Sequence, residues 1–175
     1  ADEDITVSIS TSGTGTEGTD YSTISDITIS AGATTGTASF TPTDDSIFEA
    51  NETGIVAISG VSGADAVEDG TQSVTITITN DDSAPTVTLT SSASSIDENA
   101  GSSLTLTATL TNPTTADVTV GISTSGTGTE GTDYATISDI TITAGSTTGT
   151  ASFTPTDDSI YEGDETGIVA ISTVS

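Results

Sequence analysis

The residues able to do chemistry in this sequence are almost all carboxylates. Three clusters stand in the second half: Ile96-Asp-Glu-Asn-Ala-Gly101, Gly131-Thr-Asp-Tyr134 and Asp157-Asp-Ser-Ile-Tyr-Glu-Gly-Asp-Glu165. Asp81 and Asp82 add a fourth at mid-chain. Carboxylates packed together without basic partners either stay solvated and repel, or bind hard cations. Oxygen donors at this density select calcium over zinc or copper. No EF-hand loop is present, since nothing matches its alternating Asp/Asn pattern with a Gly and a later Glu. On spacing alone, a calcium site and the polar turns of an acid-rich surface both remain open.

Composition removes most other chemistries. The 175 residues include no Lys, Arg, His, Cys, Met or Trp, while 26 Asp and Glu give a formal charge of −26. One sign of charge this large repels nucleic acid and anionic membrane, so neither is expected as a partner. Without His, Cys or Lys there is no catalytic triad, no Schiff base and no transition-metal site. The glycine-rich Gly126-Thr-Gly-Thr-Glu-Gly131 lacks the Lys and the helix of a phosphate loop. Paired acids serve glycosidases, but only three Tyr and three Phe leave no sugar platform. The chain is not expected to be an enzyme.

The elements that must position the acids are strands. Ser73–Thr79, Thr86–Thr90, Ser103–Thr111 and Asp117–Ser123 alternate apolar and polar residues, with many β-branched side chains. Period two of this kind marks half-buried antiparallel strands. Strands are expected near 5–11, 26–30, 35–41, 53–59, 73–80, 86–91, 103–112, 118–124, 139–143, 148–154 and 166–172. No segment has helical periodicity beyond a turn, and none approaches the ~18 apolar residues of a membrane span. Ala1-Asp-Glu-Asp4 is acidic, unlike the start of a signal peptide, so any export signal is expected outside this segment.

The chain also repeats itself. Residues 1–62 align without gaps on 114–175, an offset of 113, and 50 of the 62 pairs are identical. A period of this length is domain-sized, too long for a solenoid turn or a propeller blade. The expected division is 1–82, the later part of one repeat, and 83–175, the next repeat without its last strand. Pro85 stiffens the short joint between them. About seven short strands per complete repeat suggest all-β, tandem immunoglobulin-like antiparallel sandwiches.

The order of motifs resembles the Calx-beta domain. It runs Asp97-Glu-Asn-Ala-Gly101, Gly131-Thr-Asp-Tyr134, then Asp157 to Thr166, with Val74-Thr-Ile-Thr-Ile-Thr-Asn-Asp-Asp82 as the closing segment. The resemblance covers essentially the whole chain and implies a seven-stranded sandwich with calcium in the loops at one end. It implies Glu98, Asp133, Asp157, Asp158, Glu162 and Glu165 as ligands, with Asp164 as an additional one. In the first copy the matching residues are Asp20, Asp44, Asp45, Glu49 and Glu52. Asp81 and Asp82 match the aspartates that close the site of the preceding repeat. Two departures stand out: Ala50-Asn51 replaces Gly163-Asp164, and Asn80 stands where a third Asp is often found. The first copy has no counterpart of Glu98, and the second has none of Asp81 and Asp82.

The resulting expectation is a calcium-stiffened segment of a long extracellular stalk, filament or adhesin at a cell surface. Its expected partners are calcium ions and adjoining repeats of the same chain or of like chains; cell-surface or glycan contacts fall to other modules. The absence of Lys and Arg removes every trypsin site, which suits an exposed fibre. Three alternatives stay open: a calcium-sensing regulatory module, a glycan- or ice-binding adhesin module using rows such as Thr75, Thr77 and Thr79, and a fibre subunit assembling by strand exchange. Ile55 and Ile168 fall at outward positions of the alternation, either under a loop or at a lateral contact.

Overall fold

The computed structural model describes residues 1–175. Ten strands form and no helix: β1 Ile5–Gly13, β2 Ile27–Ile29, β3 Glu52–Ser62, β4 Ser73–Ile78, β5 Val87–Ser91, β6 Leu104–Leu110, β7 Val118–Gly126, β8 Ile140–Ile142, β9 Thr148–Phe153 and β10 Gly167–Val174. Every ladder is antiparallel. The chain divides into two compact units. Unit 1 comprises Ala1–Asp45 and Ala50–Asp81; unit 2 comprises Ser46–Glu49 and Asp82–Ser175.

Unit 2 is a two-layer sandwich. One sheet has the order β5-β6-β9 and the other β10-β7-β8. Alternation aims Leu106, Ala108 and Leu110 of β6 inward, where they meet Val120 of β7 and Ile140 and Ile142 of β8. All six are buried. Burying each of the Leu, Val and Ile side chains contributes roughly 1.5–3 kcal/mol to the stability of the unit.

Unit 1 is a single sheet in the order β2-β1-β3-β4. Its β1, β2 and β3 correspond to β7, β8 and β10, with nearly the same residues. The burial differs sharply. Ile27 and Ile29 are only half-buried, whereas Ile140 and Ile142 are 0% and 1% exposed. Residues 1–82 hold no counterpart of β5 and β6, so no second layer covers this face. The same cause explains the one strand expectation that fails. Residues 35–41 form no strand, although the matching β9 pairs along β6 in unit 2. Backbone polar groups need a partner to make a ladder, and the β6 equivalent is missing from unit 1.

Several acids turn out to be structural. Both units carry a β-bulge: the β1–β3 register skips Ser59 and the β7–β10 register skips Ser172. An aspartate serves each bulge, with Ile9 N donating to Asp26 Oδ1 and Ile122 N to Asp139 Oδ1, both at 2.9 Å. Asp117 Oδ1 accepts from Ala144 N at 2.8 Å and fixes the turn after β8. Glu130 accepts from Thr124 Oγ1 at 2.6 Å and from Ile137 N at 2.7 Å. These bonds favour the charged form, the Thr124 hydroxyl most, and hold the Glu130 carboxyl below its usual range.

Two outcomes follow from this arrangement. Ile140→Ala should destabilise unit 2 by about 2–5 kcal/mol, while Ile27→Ala costs unit 1 clearly less. Urea unfolding followed by unit-resolved hydrogen exchange checks this, and equal losses would refute the one-sided core. Glu130 gives stability that is present above the ordinary carboxylate range and lost as pH falls through its lowered value. Glu130→Gln should therefore lower the melting temperature at neutral pH and flatten its fall on acidification; an unchanged acid limb would contradict the role.

Candidate metal centre

The site in unit 2 is built where three loops meet at one end of the sandwich. The first is Gly131-Thr-Asp-Tyr134. Tyr134 is buried and stacks on Phe153, with ring centroids 4.7 Å apart. Gly167 makes that stack possible, since any Cβ there would collide with the Phe153 ring. Gly131 turns the chain at φ 84°, a conformation that favours glycine. The buried ring and this turn fix the residue between them. Asp133 Oδ2 accepts from Thr129 N at 2.6 Å, and its carbonyl accepts from Thr156 N at 2.9 Å.

The second loop carries Asp157 to Glu165, entirely exposed by residue. Its far end is pinned at the start of β10. Thr166 N donates to Thr127 Oγ1 at 2.9 Å, and Gly128 N donates to the Thr166 carbonyl at 3.1 Å. Gly128 is small for a reason: an added Cβ would sit 3.2 Å from Glu165 Oε2. The third loop, between β5 and β6, supplies Glu98, whose Oε1 accepts from Asp158 N at 3.1 Å. Asp158 Oδ1 in turn accepts from Ile160 N at 2.6 Å.

Asp133, Glu162 and Glu165 come together, each offering a carboxylate oxygen within 4.8 Å of the others. Two oxygens on one calcium ion, each at about 2.3–2.6 Å, can lie up to roughly 5 Å apart, so the spacing fits a shared hard cation. The donor set is all oxygen, which suits calcium and not zinc or copper. The electrostatics agree with the crowding. Glu162 and Glu165 are held above the usual glutamate range. Displacement of water by surrounding protein is the largest cause for both, followed by the negative charge of Asp133. Asp158 and Glu98 add to the effect at Glu162; at Glu165 the charge of Glu162, a hydrogen bond with Asp133 and the charge of Glu98 add to it. No Lys or Arg exists to relieve it.

The expected ligands therefore separate. Glu98, Asp133, Asp158, Glu162 and Glu165 share one electrostatic neighbourhood. Asp157 and Asp164 line the adjoining cavity but are not in the tight group of three. In unit 1, Asp20 repeats the anchoring of Asp133, its Oδ2 accepting from Thr16 N at 2.6 Å. Tyr21 again stacks on Phe40, with centroids 4.5 Å apart. Glu52 opens β3 opposite Ile78, and Asp44 and Asp45 are exposed. Glu49 falls within the short segment assigned to unit 2, while Asp81 ends unit 1 and Asp82 begins the next stretch of unit 2. Asn51, which replaces an acid of the second repeat, caps the end of the sheet: its Oδ1 accepts from Asn80 N at 3.0 Å. The motif reading did not distinguish Glu17 and Glu130 from the other acids; their position six residues after Thr11 and Thr124 is the only sequence signal of their bonding role.

Two solved structures resemble the fold. The crystal structure of CBD12 from CALX1.2 is 19% identical, covers 88% of this chain and 64% of its own, and gives a TM-score of 0.39. That of the calcium binding domain CBD12 of CALX1.1 is 17% identical, covers 89% and 64%, and gives 0.38. The chain thus spans slightly under two thirds of those relatives' length. No curated protein matches it. Calx-beta domains as a class are calcium-binding modules. The family's model matches residues 1–82 and again 80–175, and the chain belongs to the Calx-beta domain family as a tandem pair.

Proposed function

We propose that this chain is a calcium-binding repeat segment that serves as a stiff structural spacer in an extracellular stalk, filament or adhesin. The observation that carries this reading is the Asp133, Glu162 and Glu165 group, gathered within 4.8 Å in a chain with no cationic side chain. Like charges at that spacing oppose the folded loops, and a divalent ion converts the repulsion into attraction. Asp133 is the fixed element, set by the buried Tyr134, while Glu162 and Glu165 close from the exposed loop. The charges of Glu98 and Asp158 reach Glu162, which makes them the next candidates for the oxygen shell.

The structural role rests on repetition. Fifty identical pairs over 62 positions suit a spacer made of like units better than a sensor, which needs one or two tuned sites. With no disulfide available, bound metal is the obvious cross-link. An ion that ties several loops together lowers the freedom of each repeat, and a string of such repeats bends less. No catalytic role is assigned.

Calcium at a thousandfold excess over its Kd should stabilise unit 2 by about 4 kcal/mol, a rise of about 10 °C or more in melting temperature. Identical melting with calcium and with chelator would sink the reading. Asp133→Asn should weaken calcium binding by at least about tenfold in isothermal titration, since even residues behind a ligand cost 10–100-fold; an unchanged Kd would remove Asp133 from the site. Acid competes in a defined direction. Glu162 and Glu165 hold protons above the ordinary glutamate range, so in the ion-free chain they favour folding at low pH, and that advantage is lost as pH rises through their raised values. Calcium affinity should therefore rise with pH across the same window, and a flat profile there would contradict the assignment.

A further inference from the structure

Of the 17 Asp residues, Asp69 alone is followed by Gly. It stands in the loop between β3 and β4, and both Asp69 and Gly70 are exposed. The first half of that loop is tied down. Ala64 N donates to Glu3 Oε1 at 2.7 Å, and Ala66 N donates to the Gly63 carbonyl at 3.0 Å. The second half is not: no N–H of residues 67–71 donates to a protein acceptor, and Val67 is 86% exposed. Gly70 takes φ 70°, and no atom lies within 4 Å of the place a Cβ would occupy. Its nitrogen is thus both unbonded and unscreened.

The nitrogen that follows an aspartate can close a five-membered ring on the side-chain carboxyl. Here the Gly70 nitrogen adds to Asp69 Cγ. The C–N bond forms as the Cγ–OH bond breaks, and the hydroxyl leaves as water with the amide proton. The product is a succinimide, which water reopens at either carbonyl. Breaking the N–Cγ bond restores Asp. Breaking the bond from nitrogen to the main-chain carbonyl leaves the chain running through Cβ and Cγ, with the old main-chain carbonyl as a pendant carboxylate. Water is lost and then regained, so the step needs no enzyme, metal or oxidant. Glycine favours it because no Cβ crowds the closing ring and the backbone reaches the required angles. Asp65 is the contrast within the same loop: the next N–H, of Ala66, is held by Gly63, and Ala66 carries a Cβ.

We propose that Asp69 is a site of spontaneous isomerisation to isoaspartate, through a succinimide closed on the Gly70 nitrogen. The change lengthens the backbone by one methylene where spacing matters. The Asp69 carbonyl accepts from Gln72 Nε2 at 2.7 Å, and Glu68 Oε1 accepts from Gln72 N at 2.8 Å. The Gln72 carbonyl in turn accepts from Ile58 N at 3.1 Å, just before the ladder opens with Ser73 opposite Ala57. Isomerisation takes the Asp69 carbonyl out of the chain path and shifts Glu68 against Gln72, so the start of β4 loosens.

The test ages the whole 175-residue chain for weeks in warm, mildly acidic buffer. An isoaspartyl methyltransferase then labels isoaspartate, and peptide mass spectrometry locates the label. Label should accumulate at Asp69 faster than at any other Asp. Asp69→Glu, which would need a six-membered ring, should abolish it, and Gly70→Ala should slow it at least about tenfold. Asp69→Asn, with ammonia as the better leaving group, should hasten it. Amide exchange at Ser73 and Val74 should be faster in the aged chain than in the fresh one. No label at Asp69, while a free peptide of residues 66–73 becomes labelled, would mean that the folded loop forbids the ring and would overturn the proposal. So would label that survives in Asp69→Glu or that appears first at Asp65. Unchanged exchange at Ser73 and Val74 in labelled chains would overturn the consequence for β4.

Discussion

Mutual repulsion among carboxylates governs what the loops of this protein can do. Glu162 and Glu165 lie within 4.8 Å of Asp133, and the chain has no cation with which to answer them. Surface acids elsewhere can separate into water. Here Asp133 is held beside the buried Tyr134, and Glu165 precedes Thr166, whose N–H is bonded to Thr127 Oγ1. The sandwich thus holds charge in a place where a proton or a polyvalent cation relieves it.

The remaining acids divide by what their oxygens already accept. Asp117, Asp139 and Glu130 each take a backbone N–H, and Glu130 a threonine hydroxyl as well. Such bonds satisfy the charge locally. The proton affinities follow this split: Glu130 is shifted down by its donors, whereas Glu162 and Glu165 are shifted up by lost water and neighbouring charge. One composition thus yields carboxylates set by donors, such as Glu130, and carboxylates crowded by other acids, Glu162 and Glu165; Asp133 joins the two, with one oxygen accepting from Thr129 N while it stands beside both glutamates.

Much of the fold was readable from alternation. Strict period two in Ser73–Thr79 and Ser103–Thr111 marked β4 and β6, and the 113-residue offset marked the repetition. Residues 35–41 show the limit of local pattern. They match β9 almost residue for residue, yet form no strand, because a ladder needs a neighbour that residues 1–82 do not contain. Burial was hidden for the same reason: Ile27 and Ile140 stand in matching segments, but only the latter has a layer across from it. At the site, motif order pointed to Asp133, Glu162 and Glu165, which the fold gathers. Motif order did not separate Asp157 and Asp164, which stand outside the tight group, nor did it single out Glu130, whose partners come from a strand and a loop on either side. Those distinctions depend on where side chains point, which spacing does not encode.

Metal held by the second unit's acidic loops is the central claim, and anomalous X-ray diffraction from crystals grown with calcium or a lanthanide tests it most directly. The account predicts a peak among the Asp133, Glu162 and Glu165 carboxylates. Well-ordered loops with no peak there at millimolar metal, or a peak only at the backbone-bonded acids such as Glu130, would contradict it.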